Sequence, residues 1–283
     1  MAARSINGVM PTSALLLALA AAAVHATWNL LLSREEDTHA ASAVALVTGT
    51  IVFVPVALIN WRIDSAAVPY IAGSSALELA YLALLATGYS VAAMSFIYPI
   101  ARGSAPVLVL VAGVIAVGAT VSPLAAVGVV AVAVGIVLVR GLGAPGRPRD
   151  LALALSVGAC IAGYTIIDKH GVAHAAPITY LVLVLGLPAI VYVLAVWRVQ
   201  GGAALHAAVN RSSLLAGVGM FGAYALVLAA LRLAPAASVA AVRESSVVMA
   251  TAFLAITGRE KVGLERLVGA VAVVAGIALI SLR

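Results

Sequence analysis

The feature that most constrains this chain is a succession of long apolar segments separated by only a few polar residues. Of its 283 residues, 9% are charged and 64% are hydrophobic, whereas a soluble domain carries about 25% charged residues. So few charges cannot cover a water-exposed surface, and the composition therefore implies lipid as the solvent. The segments are long enough for helical spans of about 20 residues and too long for the strands of a membrane β-barrel.

These segments predict an all-α polytopic membrane protein with ten transmembrane helices. The predicted spans are 11–32, 40–60, 67–87, 91–117, 122–140, 151–168, 177–197, 212–231, 234–257 and 262–282. The first segment has an alternative interpretation, because Arg4 followed by Ala14–Val24 has the pattern of a signal peptide. The apolar run continues to Leu32, which favours a spanning helix.

A duplication is visible at a constant spacing of 141 positions. The pairs with this spacing are Arg102 and Arg243, Ser104 and Ser245, Gly128 and Gly269, and Gly135 and Gly276. Each half contains five spans, and an odd number means that the second half enters the membrane from the opposite side. We therefore expect two inverted repeats, residues 1–141 and 150–283, with a binding site near the midplane between them. The glycines, seven residues apart in each half, predict close helix packing.

Basic residues are unevenly distributed between the two sets of loops. The loops after the odd-numbered spans carry nine Lys and Arg residues, and the opposite side carries five. The positive-inside rule places the first set in the cytoplasm and both termini outside.

Four short motifs indicate a family. They are His25–Asn29 (HATWN), Tyr98–Pro106 (YPIARGSAP), Arg243–Ser246 (RESS) and Gly258–Lys261 (GREK). With these motifs the chain resembles the drug/metabolite transporter superfamily, specifically EamA-like permeases. The family pattern has a Glu before the fifth and tenth spans, but this chain has Ala119 in the first half and Glu260 in the second. That Glu is therefore not a general requirement of transport.

The resemblance implies a secondary transporter of a small organic metabolite, amino-acid-like or drug-like, in the bacterial inner membrane. We expect an exporter working by alternating access, with proton coupling as a candidate mechanism. The alternative is a membrane enzyme or a receptor-like protein without flux. The sequence has no phosphate loop, catalytic triad or metal motif, so no cofactor, metal or nucleic-acid partner is expected. A duplicated chain can build a two-fold cavity as a monomer.

Four ionisable residues fall within predicted spans: Glu78, Arg102, Arg243 and Glu244. Inserting a charged side chain at the centre of a membrane helix costs roughly 2.5–3.5 kcal/mol of free energy. Each of these residues should therefore face the protein interior or a water-filled cavity instead of lipid. An arginine can bind a substrate carboxylate, and Glu78 or Glu244 can carry the coupling proton. Arg243 and Glu244 are about 100° apart on a helix, so each is expected to pair with another helix, with Glu78 a candidate partner. A purely structural ion-pair network is the alternative.

Polar and aromatic residues on the same faces complete the predicted site. His25, Trp28 and Asn29 share one face of the first span, and they either contact substrate or bond across helices. Tyr164 and Asp168 repeat the four-residue spacing, but Asp168 precedes Lys169 and is expected at a solvated helix end. The predicted substrate-binding residues are His25, Trp28, Asn29, Glu78, Tyr81, Tyr98, Arg102, Tyr164, Tyr224, Arg243, Glu244 and Ser245.

Two prolines flank Arg102 and suggest a hinge. Pro99 and Pro106 each remove a backbone donor, which can kink the fourth span. The second half has Ala240 and Val247 at the equivalent positions. Any hinge is therefore expected to be asymmetric between the halves.

Overall fold

The structure is a computed structural model that describes residues 10–91, 94–117, 121–140, 147–256 and 263–281. Over these ranges the chain is helical, apart from turns and an isolated antiparallel bridge between Ile63 and Ala175. The all-α prediction is confirmed. A short 3-10 helix, Ser65–Ala67, precedes α3. The helices are α1 (Thr12–Leu32), α2 (Thr38–Ile59), α3 (Val68–Val91), α4 (Met94–Val117), α5 (Pro123–Arg140), α6 (Pro148–Gly171), α7 (Pro177–Ala207), α8 (Arg211–Leu233), α9 (Ala236–Arg243), α10 (Ser246–Ile256) and α11 (Leu264–Ser281).

Six segments of the described chain are long and apolar enough to cross a membrane. They are Thr12–Leu32, Thr38–Ile59, Ser65–Leu84, Pro148–Gly171, Pro177–Ala207 and Arg211–Leu233. Shorter apolar helices cover Ile100–Ile115 and Pro123–Val139. Six of the ten predicted spans thus correspond to a segment of spanning length.

Helices α6 and α7 extend beyond the predicted spans 151–168 and 177–197. Helix α6 begins at Pro148, three residues before the predicted start. Proline fits the first helical turn because no intrahelical partner is needed there, and the Arg147 N–H donates to the Asp150 carboxylate at 2.9 Å. Helix α7 extends to Ala207, but it is broken at Gly201, where φ is 82°. Glycine adopts this left-handed conformation at low cost.

The ninth predicted span, 234–257, is not one helix. It consists of α9 and α10, separated by a turn at Glu244 and Ser245. The Ser245 N–H donates to the Val242 carbonyl at 3.0 Å, a three-residue bond that tightens the end of α9. The chain is therefore interrupted next to Arg243, one of the predicted site residues.

The prolines do not interrupt the fourth span. Helix α4 continues through Pro99 and Pro106, whereas the interruption lies in the half that has Ala240 and Val247 instead. The halves therefore differ, as expected. The helix is interrupted in the second half, however, and not in the first half, where the prolines suggested a hinge.

The two halves pack closely together through glycines on α5 and α11. A Cβ atom on Gly128 would lie 2.6 Å from the Gly276 carbonyl oxygen, and one on Gly135 would lie 2.6 Å from that of Gly269. Such separations exclude any side chain, so the backbones meet directly, as the seven-residue spacing predicts. Helix α1 packs against α8, α3 and α4 pack against α6, and α2 packs against α7 and α8.

Loops from opposite halves meet at both ends of the bundle. At one end, called here the Ala175 end, the Ala176 N–H donates to the Arg62 carbonyl at 2.8 Å. At the other, called here the Asn210 end, the Asn210 amide donates to the Glu35 carboxylate at 2.6 Å.

Candidate functional site

A cavity of about 340 Å³ lies between the two halves and is lined by residues from α1, α2, α3, α4, α6, α7, α8 and α9. Nine of the twelve predicted binding residues line it. They are His25, Trp28, Asn29, Glu78, Tyr81, Arg102, Tyr164, Tyr224 and Arg243. The cavity therefore presents charges of both signs beside aromatic rings.

Two predicted binding residues, Glu244 and Ser245, are not among the described residues that line this cavity. Glu244 and Ser245 are buried, with 1% and 5% of their surface exposed, and they lie in the turn between α9 and α10. Tyr98 lies in α4, but its side chain is outside the described part of the structure. The GREK motif, including Glu260, and Ala119 also fall outside the described residues.

Both arginines are paired with the same carboxylate oxygen. Arg102 Nη1 and Arg243 Nη2 each lie 3.2 Å from Glu244 Oε1. The expectation that Arg243 and Glu244 each pair only with another helix is wrong for Arg243, because the two neighbouring side chains are long enough to meet at 3.2 Å. The expectation of a partner on another helix holds for Glu244, whose second arginine comes from α4.

Glu78 does not pair with either arginine. It faces the cavity, and within the described structure both salt bridges end on Glu244. Within the described residues, the cavity therefore contains a carboxylate that forms no salt bridge with a guanidinium.

The three residues predicted to share a face of α1 have different roles. His25 Nε2 lies 3.3 Å from Arg102 Nη2, and since a guanidinium only donates, the histidine accepts there. The Trp28 ring meets the His25 ring edge-on, with 4.8 Å between centroids. The Asn29 amide donates to the His25 carbonyl at 2.8 Å, within its own helix. Within the described structure, His25 makes a cross-helix bond, whereas none is seen for Trp28 or Asn29, and the alternative interpretation required one of all three.

Several buried polar atoms of this region have no hydrogen-bond partner among the described residues. They are Trp28 Nε1, Arg243 Nε, Glu244 Oε2 and Ser245 Oγ. Buried polar groups are nearly always paired, so these atoms are available to a ligand or to water. Trp28 and Arg243 both line the cavity, and together they offer two unused donors to an acceptor group.

The expectation of a solvated helix end at Asp168 is wrong. This residue has 0% of its surface exposed and accepts hydrogen bonds from Ser74 Oγ at 2.6 Å, Tyr180 OH at 3.0 Å and Tyr224 OH at 2.5 Å. The adjacent Lys169 is only partly exposed, and its ammonium group donates to the carbonyls of Leu231 and Ala234 at the end of α8. A cation is favourable at a helix C-terminus. The sequence feature that pointed to Asp168 was its spacing of four residues from Tyr164, which places both residues on one face of α6.

The cavity extends towards the Asn210 end through residues that the sequence did not single out. Thr38, His39, Ser42 and Tyr192 line this part. His39 Nδ1 and the Tyr192 hydroxyl lie 3.0 Å apart, joining α2 to α7. None of these four side chains carries a permanent charge, so no buried charge marked them in the sequence.

The fold is that of a solved protein. Among 28 matching chains of solved structures, one crystal structure has a TM-score of 0.74 over 99% of this chain and 99% of its own, at 16% sequence identity. At this identity the likeness concerns the fold. No curated protein matches the sequence.

The second half of the chain carries the match that identifies the family. Its residues 150–282 match the model of the EamA-like transporter family. They belong to that family. The EamA-like transporters are part of the drug/metabolite transporter superfamily, so the resemblance seen in the sequence is confirmed. Members of the EamA-like family are transporters, not enzymes. The match to this family, together with the apolar helices, shows that the chain is a multi-pass membrane protein.

Proposed function

We propose that the chain is a secondary transporter that exports a small organic metabolite by alternating access. The observation that carries this proposal is the cavity of about 340 Å³ between the halves, lined by Glu78, Arg102 and Arg243 together with aromatic side chains. Ligand cavities have volumes of about 300–1,000 Å³, so this one suits a small metabolite. Membership of the family supports transport.

The proposed architecture is two inverted five-helix repeats, residues 1–141 and 150–283, spanning the membrane ten times. A two-fold axis that exchanges the halves requires reciprocal contacts. Such an axis carries Gly128 onto Gly269 and Gly276 onto Gly135, and both corresponding contacts occur. The packing of α1 on α8 and of α3 on α6 is a second reciprocal pair, since α1 corresponds to α6 and α3 to α8.

The proposed substrate is a zwitterion such as an amino acid. Its carboxylate would bind the unused donors Arg243 Nε and Trp28 Nε1, because guanidinium groups bind carboxylates with directional bonds. Its ammonium group would face Glu78, the cavity carboxylate that is not held by an arginine. Apolar parts would contact Tyr81 and Tyr164.

Glu78 is a better candidate than Glu244 for the carboxylate that carries the coupling proton. Glu244 is held by two guanidinium groups, so protonating it would leave two buried cations without their shared anion. Glu78 faces the cavity and can exchange protons with water there.

The proposed location is the bacterial inner membrane, with the Asn210 end in the cytoplasm. Arg34, Arg198 and Arg211 lie towards this end of the chain's helices, and positive residues are retained on the cytoplasmic side.

The experiment that tests transport is flux into proteoliposomes containing the purified chain. A panel of labelled amino acids, organic cations and organic anions is offered with and without a pH gradient. We expect a zwitterion to be transported, and we expect Arg102→Ala to abolish the flux. Arg198→Ala is the matched control, because Arg198 is exposed on α7. Binding without flux across the whole panel would instead support a receptor-like protein.

A further inference from the structure

The Asp168 carboxylate joins four helices in a buried hydrogen-bond cluster. Its three donors are Ser74 on α3, Tyr180 on α7 and Tyr224 on α8, and Asp168 itself lies on α6. We call these four side chains the Asp168 cluster. Helices α3 and α6–α8 come from both halves, so the cluster fixes the halves relative to one another.

The cluster lies towards the Ala175 end of the bundle. Asp168 is three residues from the end of α6, and Tyr180 is in the first turn of α7. A Cβ atom on Gly171 would lie 2.5 Å from the Tyr180 ring, so the loop between α6 and α7 is packed tightly over the cluster. Ala175, in this loop, is 1% exposed. The cluster and the loop together close this end.

No cation neutralises Asp168 directly. Within the described structure its partners are three hydroxyl groups, and Lys169 is engaged by the end of α8. A buried carboxylate that lacks a cation depends on its hydrogen bonds to remain ionised. This separates Asp168 from Glu244, which two arginines hold.

Hydroxyl groups make the cluster able to accommodate a proton. A serine or tyrosine hydroxyl can donate or accept, whereas a guanidinium can only donate. An ionised Asp168 accepts all three bonds. A protonated one becomes a donor at one oxygen and a weaker acceptor there, so the hydroxyl bond to that oxygen is weakened or reversed.

A route to the cavity is present. Tyr224 both lines the cavity and donates to Asp168, and its hydroxyl also interacts with the Glu78 carboxylate. The charged and titratable groups that face Asp168 are Glu78 on α3, Tyr180 on α7, Tyr224 on α8 and Arg243 on α9. A proton from cavity water can therefore reach Asp168 through Glu78 and Tyr224.

We propose that Asp168 is a proton-binding site, and that its protonation releases the hydroxyls that hold the Ala175 end closed. The step adds one proton to the carboxylate, which changes from charge −1 to neutral, and no other bond is broken. This proposal rests on the transport function proposed above. It names the site where the coupling proton controls access.

The test measures access to the Ala175 end without any solute. A reporter cysteine, Ala175→Cys, is introduced in a Cys160→Ala background, since Cys160 is the sole cysteine of the chain. Labelling by a membrane-impermeant maleimide is followed between about pH 8 and pH 5, a range in which a buried carboxyl can titrate. Ala66 is exposed, so a cysteine at this position, Ala66→Cys, is accessible at every pH. Its labelling rate corrects that of Ala175→Cys for the pH dependence of thiol ionisation.

We expect the corrected labelling rate to rise by about tenfold or more on acidification, the change that losing one bond to a charged group produces. Asp168→Asn, which cannot be ionised, should label fast at every pH. The matched control is Asp150→Asn on the same helix, which should keep the pH response, because Asp150 lies at the opposite end of α6. Ser74→Ala and Tyr180→Phe, which each remove one donor, should raise the labelling rate at neutral pH.

A labelling rate that does not change with pH, or a pH response that survives in Asp168→Asn, would overturn the proposal. If Asp168→Asn does not fold, Ser74→Ala and Tyr180→Phe provide the test. A labelling rate that is unchanged in both variants would also overturn the proposal. Because no solute is used, the result is independent of whether the flux experiment finds a substrate.

Discussion

Arg102 and Glu244 form an ion pair of 3.2 Å between α4 in the first half and the turn between α9 and α10 in the second. Arg243 binds the same carboxylate oxygen. The three side chains carry a net charge of +1, and all are at least nine-tenths buried. An anionic group entering the cavity beside them would compensate the excess charge.

Replacing the shared carboxylate should destabilise the protein strongly. In Glu244→Gln, two buried guanidinium groups lose their anion, and breaking a buried ion pair costs about 3–5 kcal/mol. We expect a clear fall in the midpoint of thermal unfolding in detergent. Glu36→Gln is the control, because Glu36 is exposed.

The same measurement shows whether Arg102 and Glu244 are coupled. The double variant Arg102→Gln, Glu244→Gln should lose less stability than the sum of the two single changes, since it removes charge on both sides of the pair. Strictly additive losses would mean that the pair contributes nothing beyond its separate residues.

The contact of Gly128 with Gly276 should not tolerate a methyl group. In Gly128→Ala the new Cβ would lie 2.6 Å from the Gly276 carbonyl oxygen, so α5 and α11 must move apart. Overpacking of this kind costs about 1–3 kcal/mol, which thermal unfolding would detect. Gly186→Ala is the control: it meets nothing within 4 Å, and alanine in a helix is favoured over glycine by up to about 1 kcal/mol. Equal effects of the two changes would contradict the close approach.

The helical fold and most of the cavity could be predicted from the sequence, because charged residues and regularly spaced glycines are easily recognised within the apolar segments of a membrane protein. Arg102, Arg243 and Glu78 stand out against apolar segments, and all three line the cavity. The spacing of Gly128 and Gly135 predicted a packing face, which the contact with α11 explains.

What could not be predicted depends on how side chains bend and on contacts between distant segments. Arg243 and Glu244 pair although they are sequence neighbours, because two long side chains can bend towards each other, and the helical-spacing argument considered only the directions in which side chains leave the helix. Asp168 appeared to be at a solvated end because Lys169 follows it. The ammonium group of Lys169 instead binds the end of α8, 62 residues further along the chain at Leu231, and local sequence contains no sign of that contact.

The unused donor of Arg243 should contribute to substrate binding. Arg243→Lys keeps the positive charge but removes the Nε donor that has no partner in the protein. For a solute identified in the flux panel, we expect its dissociation constant to rise by about tenfold to a hundredfold, the effect of losing a bond to a charged group. Isothermal titration would measure it, with the exposed Arg198→Lys as control. Unchanged affinity in Arg243→Lys would remove this residue from the site.

Asp64, at the Ala175 end, offers a pH dependence that can be separated from that of Asp168. The backbone N–H of Ala66 donates to the Asp64 carboxylate at 3.1 Å, and this bond lowers the pKa of Asp64 below its usual range. A group whose pKa is lower in the folded state contributes stability above its unfolded pKa and loses it as the pH falls through the lowered value. Asp64 therefore stays ionised throughout the range of the labelling experiment.

Asp64→Asn should consequently leave the pH response of the Ala175→Cys reporter unchanged. The same variant should unfold at a lower temperature than the parent at neutral pH, and this difference should shrink in acid, where the parent carboxylate is protonated too. Labelling and thermal unfolding of one pair of proteins check both statements. A reporter response that disappears in Asp64→Asn would assign the pH dependence of this end to the capping carboxylate of the short 3-10 helix instead of to the buried Asp168.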